Sequence, residues 1–418
     1  MCDDIELTVQ GRRITHAGNA CPLGQAWFTK PRPETIPACR IRGKAASIEE
    51  GLSRAAQILN AAKYPLVYGL TNTTCEAQRV AVAIADSLGA VLDTATSLSH
   101  APSIMAFQNV GKVTSTLGEI SNRGDLVIFW GANPVDNHPR VTSKYTLDKP
   151  GMFVPRGRLD RTCVVIDIKP TSTAKAADRF LQIRPESDFE VLWVLRSLAR
   201  DIELDDGQVL EHTGVPLSAW QDLMRRMKQA RFGVFLFGMG LMRSRGQHTN
   251  CEALFALTRD LNDYTRFICR SVRARGNVTG ADKVVSWRTG YPFAIDLARG
   301  YPRYSPGEYT ASQTLARGEP DAALILAADP LTTLTAAAAR HLETIPYVAI
   351  SADESPTLEK AEVSFRSSQY GIHAPGTVYR MDEVPISLRP AFPSEYPHDV
   401  KLLELLQQRL STPVQPAE

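Results

Sequence analysis

The stretch Asp93-Thr94-Ala95-Thr96-Ser97-Leu98-Ser99-His100-Ala101-Pro102-Ser103 follows the apolar run 90–92 and breaks into small polar residues around a proline. That composition suits a loop leaving the end of a buried strand, the place where open α/β sheets bind ligands. Ser99-His100 sets a hydroxyl beside an imidazole, the pairing of a nucleophile with a base. No glycine-rich elbow surrounds the pair and no spacing supplies a third partner, so a plain strand-end loop explains it better.

Upstream, Pro65-Leu66-Val67-Tyr68-Gly69-Leu70 reads as another buried strand. It is preceded by a helix that Ser47 and Glu50 open as a capping box and that runs through Ala61. Residues 75–88 carry apolar side chains at helical spacing. Downstream, 126–130 is a strand ending in Gly131-Ala132-Asn133-Pro134. A second cluster of apolar runs begins at Cys163-Val164-Val165-Ile166-Asp167 and continues through 179–184, a helix at 189–199, 232–237, a helix at 251–261 and 266–270. After the Gly/Tyr/Pro-rich segment 287–307, strands at 323–327 and 347–350 resume. Strand–helix–strand alternation with polar loops after the strands predicts an α/β fold with two doubly wound parallel sheets. The expected domains are a small, partly β unit at 1–50, a discontinuous α/β domain at 51–154 plus 306–385, an inserted α/β domain at 155–305, and a C-terminal segment at 386–418.

The 418 residues exceed one compact core, and 44% hydrophobic with 22% charged residues is ordinary for a globular protein. A net charge of +2 carries no nucleic-acid signature. No apolar run approaches the ~20 residues of a membrane span, and Met1-Cys2-Asp3-Asp4-Ile5 has no signal-peptide pattern, so a cytoplasmic protein is expected. The seven cysteines are scattered without a Cys-x-x-Cys pair, which argues against a disulfide framework or a local zinc site.

Several residues are candidates for a site. Gly238-Met239-Gly240 follows a strong strand, but the third glycine of a dinucleotide fingerprint would fall at Arg243, so nicotinamide binding is not expected. Asn133 sits in a strand-end turn, where bonding to its own backbone is the simpler reading. Asp167, at a strand tip, suits a ribose hydroxyl or a helix cap about equally. Arg243, Arg245, Arg270, Arg273 and Arg275 fall in loops after two strands and would form a cationic surface if those loops meet. Scattered solvated arginines are the commoner explanation.

Taken together, these segments resemble a known family. The run 163–188, including Ile183-Arg184-Pro185-Glu186-Ser187-Asp188, is similar to the pterin-dinucleotide region of molybdenum and tungsten oxidoreductases, and Gly131-Ala132-Asn133-Pro134 with His138-Pro139 to a turn of that superfamily. More narrowly, the chain resembles the B subunit of formylmethanofuran dehydrogenase. The matching stretches are Cys2-Asp3-Asp4-Ile5, Asn19-Ala20-Cys21, Tyr68-Gly69, Thr73-Thr74-Cys75-Glu76-Ala77, Thr289-Gly290-Tyr291-Pro292 and Thr377-Val378-Tyr379-Arg380-Met381-Asp382. The resemblance implies two molybdopterin-oxidoreductase-type sheets and a small N-terminal remnant of an iron–sulfur domain.

It also marks departures. Cys2 and Cys21 align with the last two of four cluster cysteines, a poor basis for a cluster. Ser99, with His100, stands where tungsten relatives carry a metal-ligating Cys or selenocysteine; an alkoxide is a harder donor than a thiolate. Glu186 replaces the glycine of the family's Pro-Gly-Thr-Asp, which puts a carboxylate where a pyrophosphate would lie. Asn133, Asp167, Glu186 and Asp188 then mark a vestigial dinucleotide site. The expectation is a redox-dead subunit without catalytic residue, metal or cofactor of its own. It would resemble the B subunit of a bacterial formyltransferase/hydrolase complex that takes formyl-tetrahydromethanopterin to formate through a methanofuran-type carrier. By that resemblance the partners are the A, C and D subunits, with zinc on the A subunit. The five arginines would be available to an acidic carrier tail, and Trp287 and Tyr291 are candidates for filling the vacated site. The alternative is an active tungsten- or molybdenum-pterin subunit that uses Ser99 as ligand.

Overall fold

The computed structural model describes residues 3–32, 35–273 and 275–410. The chain forms two compact units, one built from Ser99–Ala274 and the other from Cys2–Leu98 with Arg275–Glu418.

In the unit at 99–274, five parallel strands lie in the order Arg266–Ser271, Phe232–Phe237, Leu126–Trp130, Thr162–Asp167, Arg179–Gln182. Leu126–Trp130 and Phe232–Phe237 are buried along their whole length. This is why they read as continuous apolar runs rather than alternating ones. Helices at Asp188–Ala199, Leu217–Gln229 and His248–Leu261 cover the sheet, and Trp130, Trp220, Phe235, Phe237 and Phe267 fill the core. The chain enters at the central strand 126–130, lays two strands to one side, then crosses to lay two on the other. The reversal therefore lies between 126–130 and 232–237.

Arg161 locks the base of this unit. It is 4% exposed, and its guanidinium donates to the carbonyls of Ser121, Gly124, Leu147 and Lys149 at 2.7–3.1 Å. Burial pulls its pKa down, against opposing pulls from Asp160 and Asp148.

In the other unit, a nine-stranded sheet has five parallel strands at its centre: Val91–Thr94, Pro65–Gly69, Ala322–Leu326, Tyr347–Ser351 and Val363–Arg366. Antiparallel pieces flank them, Ile295–Asp296 with Arg303–Tyr304 on one edge and Cys39–Ile41 with Lys44–Ala45 on the other. The expected return of 323–327 and 347–350 to the first sheet is thus realised. Ser47 and Glu50 form the capping box that starts Ile48–Ala61. Cys75–Leu88 begins at a Thr74 cap and ends at Gly89 in the left-handed conformation. The N-terminal hairpin Glu6–Gln10/Arg13–Gly18 and the helix Pro22–Thr29 belong to this unit.

Domain boundaries differ from the sequence reading. The inserted unit starts at Ser99 and ends near 274, not at 155 and 305, because the strand 126–130 pairs on both sides with later strands of the insertion. Neither 1–50 nor 386–418 stands apart: Cys39–Ile41 extends the nine-stranded sheet, and Leu402, Leu403 and Leu406 of the helix Asp399–Gln407 share its core. The described cysteines 21, 39, 75, 163, 251 and 269 are free.

Candidate functional site

At the reversal of the five-stranded sheet the strand ends open into a cavity of about 470 Å³. Its wall comes mainly from Gly131–Asn133, Asp167–Lys169, Thr171, Ile183, Pro185–Glu186, Asp188, Gly238–Gly240, Arg243 and Ser244. Open parallel sheets bind ligands at such a crevice because adjacent loops run in opposite directions there. Its volume is within the range of small-molecule sites.

Two strand-end loops meet with no room for side chains. Gly131 has φ +52°, and a Cβ there would lie 2.5 Å from the Leu241 amide nitrogen; one on Gly240 would lie 2.7 Å from the Gly131 Cα. The Gly240 amide donates to the Gly131 carbonyl at 2.9 Å, and that of Gly238 to the Trp130 carbonyl at 2.9 Å. These glycines bring the backbone of the 238–240 turn against the 131–133 turn.

Below the cavity Trp130, fully buried, donates its indole N–H to Asp188 Oδ1 at 2.7 Å. Burial raises the Asp188 carboxyl above its ordinary range, while the bonds from Trp130 and Ser244 hold it down. Asp167 caps no helix: its carboxylate takes the amide of Ile168 at 2.8 Å, and the following short helix is capped by Thr171. Burial raises Asp167 too. Asn133 does not bond its own backbone. Its Oδ1 accepts from the Thr173 hydroxyl at 2.7 Å and amide at 3.2 Å, and its Nδ2 donates to Asp136 at 2.6 Å. It ties two strand-end loops together.

Glu186 is the unusual member. Its φ is +67°, a left-handed backbone that a residue with a Cβ rarely adopts. Its carboxylate lies at the cavity wall and accepts the backbone N–H of Arg245. An anionic ligand entering here would meet a carboxylate already bound to a donor of the turn. Arg243 lines the cavity, and Arg245 pairs with Glu190 at 2.8 Å.

The five arginines do not form one surface. Arg270 is 3% exposed and donates its guanidinium to the Ser115 carbonyl at 2.6 and 2.9 Å, so it faces inward and fits neither a cationic surface nor the commoner reading of a solvated arginine. The Arg273 carbonyl lies 2.8 Å from Nε2 of His138. Arg275 belongs to the other unit.

Neither Ser99 nor His100 lines the cavity. Ser99 is half-buried and His100 is 1% exposed. His100 takes the N-cap position of Ala101–Val110, and its carbonyl accepts the Ser103 hydroxyl at 3.0 Å. Burial, then the charges of Arg273 and His138, hold its pKa well below the usual histidine value, so it is neutral at pH 7. Cys21 is a half-buried free thiol at the N-cap of Pro22–Thr29, and Cys2 lies outside the described residues. Trp287 and Tyr291 fill no cavity: they are 61% and 37% exposed in the other unit, with Trp287 edge-on to Tyr379 and Tyr291 stacked on Tyr304. Lys169, Thr171 and Ser244 line the cavity although nothing in the sequence singles them out, since a loop lysine or hydroxyl carries no local signal of convergence.

The stretch 93–103 contributes one titrating group of its own. Asp93 is fully buried and accepts the amides of Ala294 and Ala311 at 3.1 and 2.7 Å and the Ser97 hydroxyl at 2.8 Å. Burial outweighs these bonds and raises it from 3.8 to about 6. The folded state therefore holds the proton more tightly than the unfolded chain. That stabilisation is complete below about pH 4 and is lost as pH rises through about 6. Asp93→Asn is expected to destabilise the protein less at neutral pH than in acid. The gap to wild type should narrow by about 3 kcal/mol, at 1.4 kcal/mol per pKa unit. Urea unfolding across the pH range checks this, and a gap independent of pH would show that Asp93 does not titrate there.

No family model matches the chain. It is 40% identical over 396 residues to the B subunit of the tungsten-containing formylmethanofuran dehydrogenase 2 of Methanocaldococcus jannaschii, covering 93% of this chain and 90% of that protein. It is 25% identical over 297 residues to the B subunit of the formyltransferase/hydrolase complex of Methylorubrum extorquens, covering 70% and 75%. Among solved structures, a chain of the formyltransferase/hydrolase complex of Methylorubrum extorquens, determined with methylofuran, superposes with a TM-score of 0.74 at 23% identity, over 89% of this chain and 98% of that one.

Proposed function

The chain belongs to the B-subunit family of formylmethanofuran dehydrogenase, and we propose that it serves there as a structural subunit without redox chemistry of its own. In this reading it sits in a cytoplasmic formyltransferase/hydrolase complex that converts formyl-tetrahydromethanopterin to formate through a methanofuran-type carrier. Its partners are the A, C and D subunits, with the hydrolytic zinc on the A subunit and no metal or cofactor on this chain. The relationship to the Methylorubrum extorquens protein supports this placement. Among the described residues no helix is long and apolar enough to cross a membrane.

The observation that carries the reading is Glu186. A pterin dinucleotide brings a pyrophosphate, and its binding turn offers backbone N–H groups to that anion. Here a carboxylate held in place by a left-handed residue takes the Arg245 N–H instead. Two anions competing for one donor repel, and near the surface this costs a few kcal/mol at an effective dielectric of about 20. At the position the resemblance assigns to the metal ligand, Ser99 offers a harder donor than a thiolate, and this alone does not decide against a metal. Cys163 and Cys269 are core residues whose thiols burial raises to about 12 and about 11. On this reading it is Glu186 that does not suit the pyrophosphate of a tungsten- or molybdenum-pterin group. Arg243 and Arg245, on one turn, remain the candidates for contact with an acidic carrier.

The second reading, an active tungsten- or molybdenum-pterin subunit, draws on the 40% identity to a tungsten enzyme. Elemental analysis of the co-purified complex separates the two. Zinc in the complex with no tungsten, molybdenum or iron is the expected result; tungsten or molybdenum near-stoichiometric with this chain would overturn the proposal. A variant probes the same point. Glu186→Gly removes both the charge and the left-handed strain, worth about 1 kcal/mol or more. Calorimetric titration with guanosine diphosphate should show binding about tenfold tighter or better than wild type, as expected when a repelled charge-assisted bond is restored. Equal affinities would mean that Glu186 does not guard the cavity.

A further inference from the structure

A second cavity, of about 160 Å³, lies in the other unit, between the N-terminal hairpin, the end of the helix Pro22–Thr29 and the segment around Ile372 and Phe392. Four of its wall residues are cations, Arg12, Arg13, Lys30 and Arg32, and no carboxylate is among the wall residues. Arg12 meets Glu395 at 2.8 Å and Lys30 meets Asp353 at 3.0 Å, both pairs well exposed and so weakly held. Arg13 and Arg32 form no ion pair with a carboxylate among the described residues, and Asp353 acts on Arg32 only from beyond ion-pair distance.

Arg32 is the most constrained of the four. Its terminal nitrogens donate to the carbonyls of Trp27, Phe28 and Lys30 at 2.7–3.4 Å, and its guanidinium lies 5.0 Å over the Trp27 ring. Its Nε is buried without an acceptor. Burial lowers its pKa, with Asp353 only partly opposing. A guanidinium fixed by its neighbours, partly desolvated and short of one acceptor is preorganised for an oxyanion. The rest of the wall is mostly apolar, with Thr29 and His373 the polar members: Ile14 and Ile372 are 4% and 1% exposed, and Phe392 meets the His373 ring edge-on at 4.9 Å. Inorganic phosphate would leave those walls wet, whereas a carboxylate on an apolar body uses both halves.

We propose that this cavity binds a small organic carboxylate, its charged end toward Arg13 and Arg32 and its apolar body against Ile14, Ile372 and Phe392. The site is independent of the switch-point cavity and of the role assigned to the chain above.

The test is calorimetric titration of the full chain at low salt with benzoate and, separately, inorganic phosphate. Benzoate is expected to bind saturably at one site and more tightly than phosphate. Arg13→Gln and Arg32→Gln should each weaken benzoate about tenfold, the usual scale of one charge-assisted contact. Arg13 is exposed, so its variant keeps the fold and the test stands even if Arg32→Gln does not. Arg42→Gln, in a residue paired with Glu362 outside the cavity, should change nothing. Absence of saturable benzoate binding, tighter phosphate than benzoate, or equal binding by wild type and Arg13→Gln would each overturn the proposal.

Discussion

Arg161→Met is expected to lower the unfolding free energy by about 3–5 kcal/mol, the usual loss when one partner of a buried charged network is removed. Methionine matches much of the arginine stem, so packing changes little. The loss comes from four carbonyls, on Ser121, Gly124, Leu147 and Lys149, that the guanidinium gathers at one buried point. A buried carbonyl left without a donor costs about 1–3 kcal/mol. Partial hydration and relaxation keep the sum below four such terms. Arg161→Lys should lose less, because an ammonium keeps the charge but cannot reach all four acceptors. Urea denaturation measures both. A loss under about 1 kcal/mol for the methionine variant would mean that water replaces the guanidinium without strain.

The second large effect lies under the switch-point cavity. Trp130→Ala should cost about 3–5 kcal/mol, the range for emptying a large core aromatic site. Asp188 would lose its indole donor in the same step, which makes the upper end the expectation. Trp130→Phe reduces the packing loss: it keeps one aromatic ring in place and loses the N–H with the rest of the indole, for about 1–3 kcal/mol. In a double-mutant cycle of Trp130→Phe with Asp188→Ala, which removes the acceptor, the Trp130–Asp188 coupling should be about 1–3 kcal/mol. Additivity of the two single changes would show that the 2.7 Å bond contributes nothing net. A coupling in that range would make Asp188 a support for the central strand.

Several features are readable from local pattern. The Ser47/Glu50 capping box, the Cys75–Leu88 helix and the uninterrupted apolar runs at 65–69, 126–130 and 232–237 declare themselves because their causes are short-range. Glu186 stands where the family resemblance leads one to expect a glycine, and its left-handed φ is a conformation that favours glycine. Other features are not readable. Nothing near Arg270 shows that its guanidinium folds back onto Ser115, 155 residues earlier in the chain, so local reading expects a loop arginine where a buried one stands. Asn133 reads as a self-bonded turn, yet its partner Thr173 lies 40 residues away.

The boundary of the inserted unit shows the division most sharply. By itself the sequence determined the element types, the parallel α/β class and the family, because periodicity, caps and motifs each act within a few residues. Only the tertiary structure decided that the strand Leu126–Trp130 belongs with the later strands, that the sheet reverses beside it, and that Gly131, Gly240, Asp188 and Glu186 converge there. Strand order is chosen by which apolar faces pack and which edges pair across stretches of chain far longer than any local motif, and no short segment carries that information.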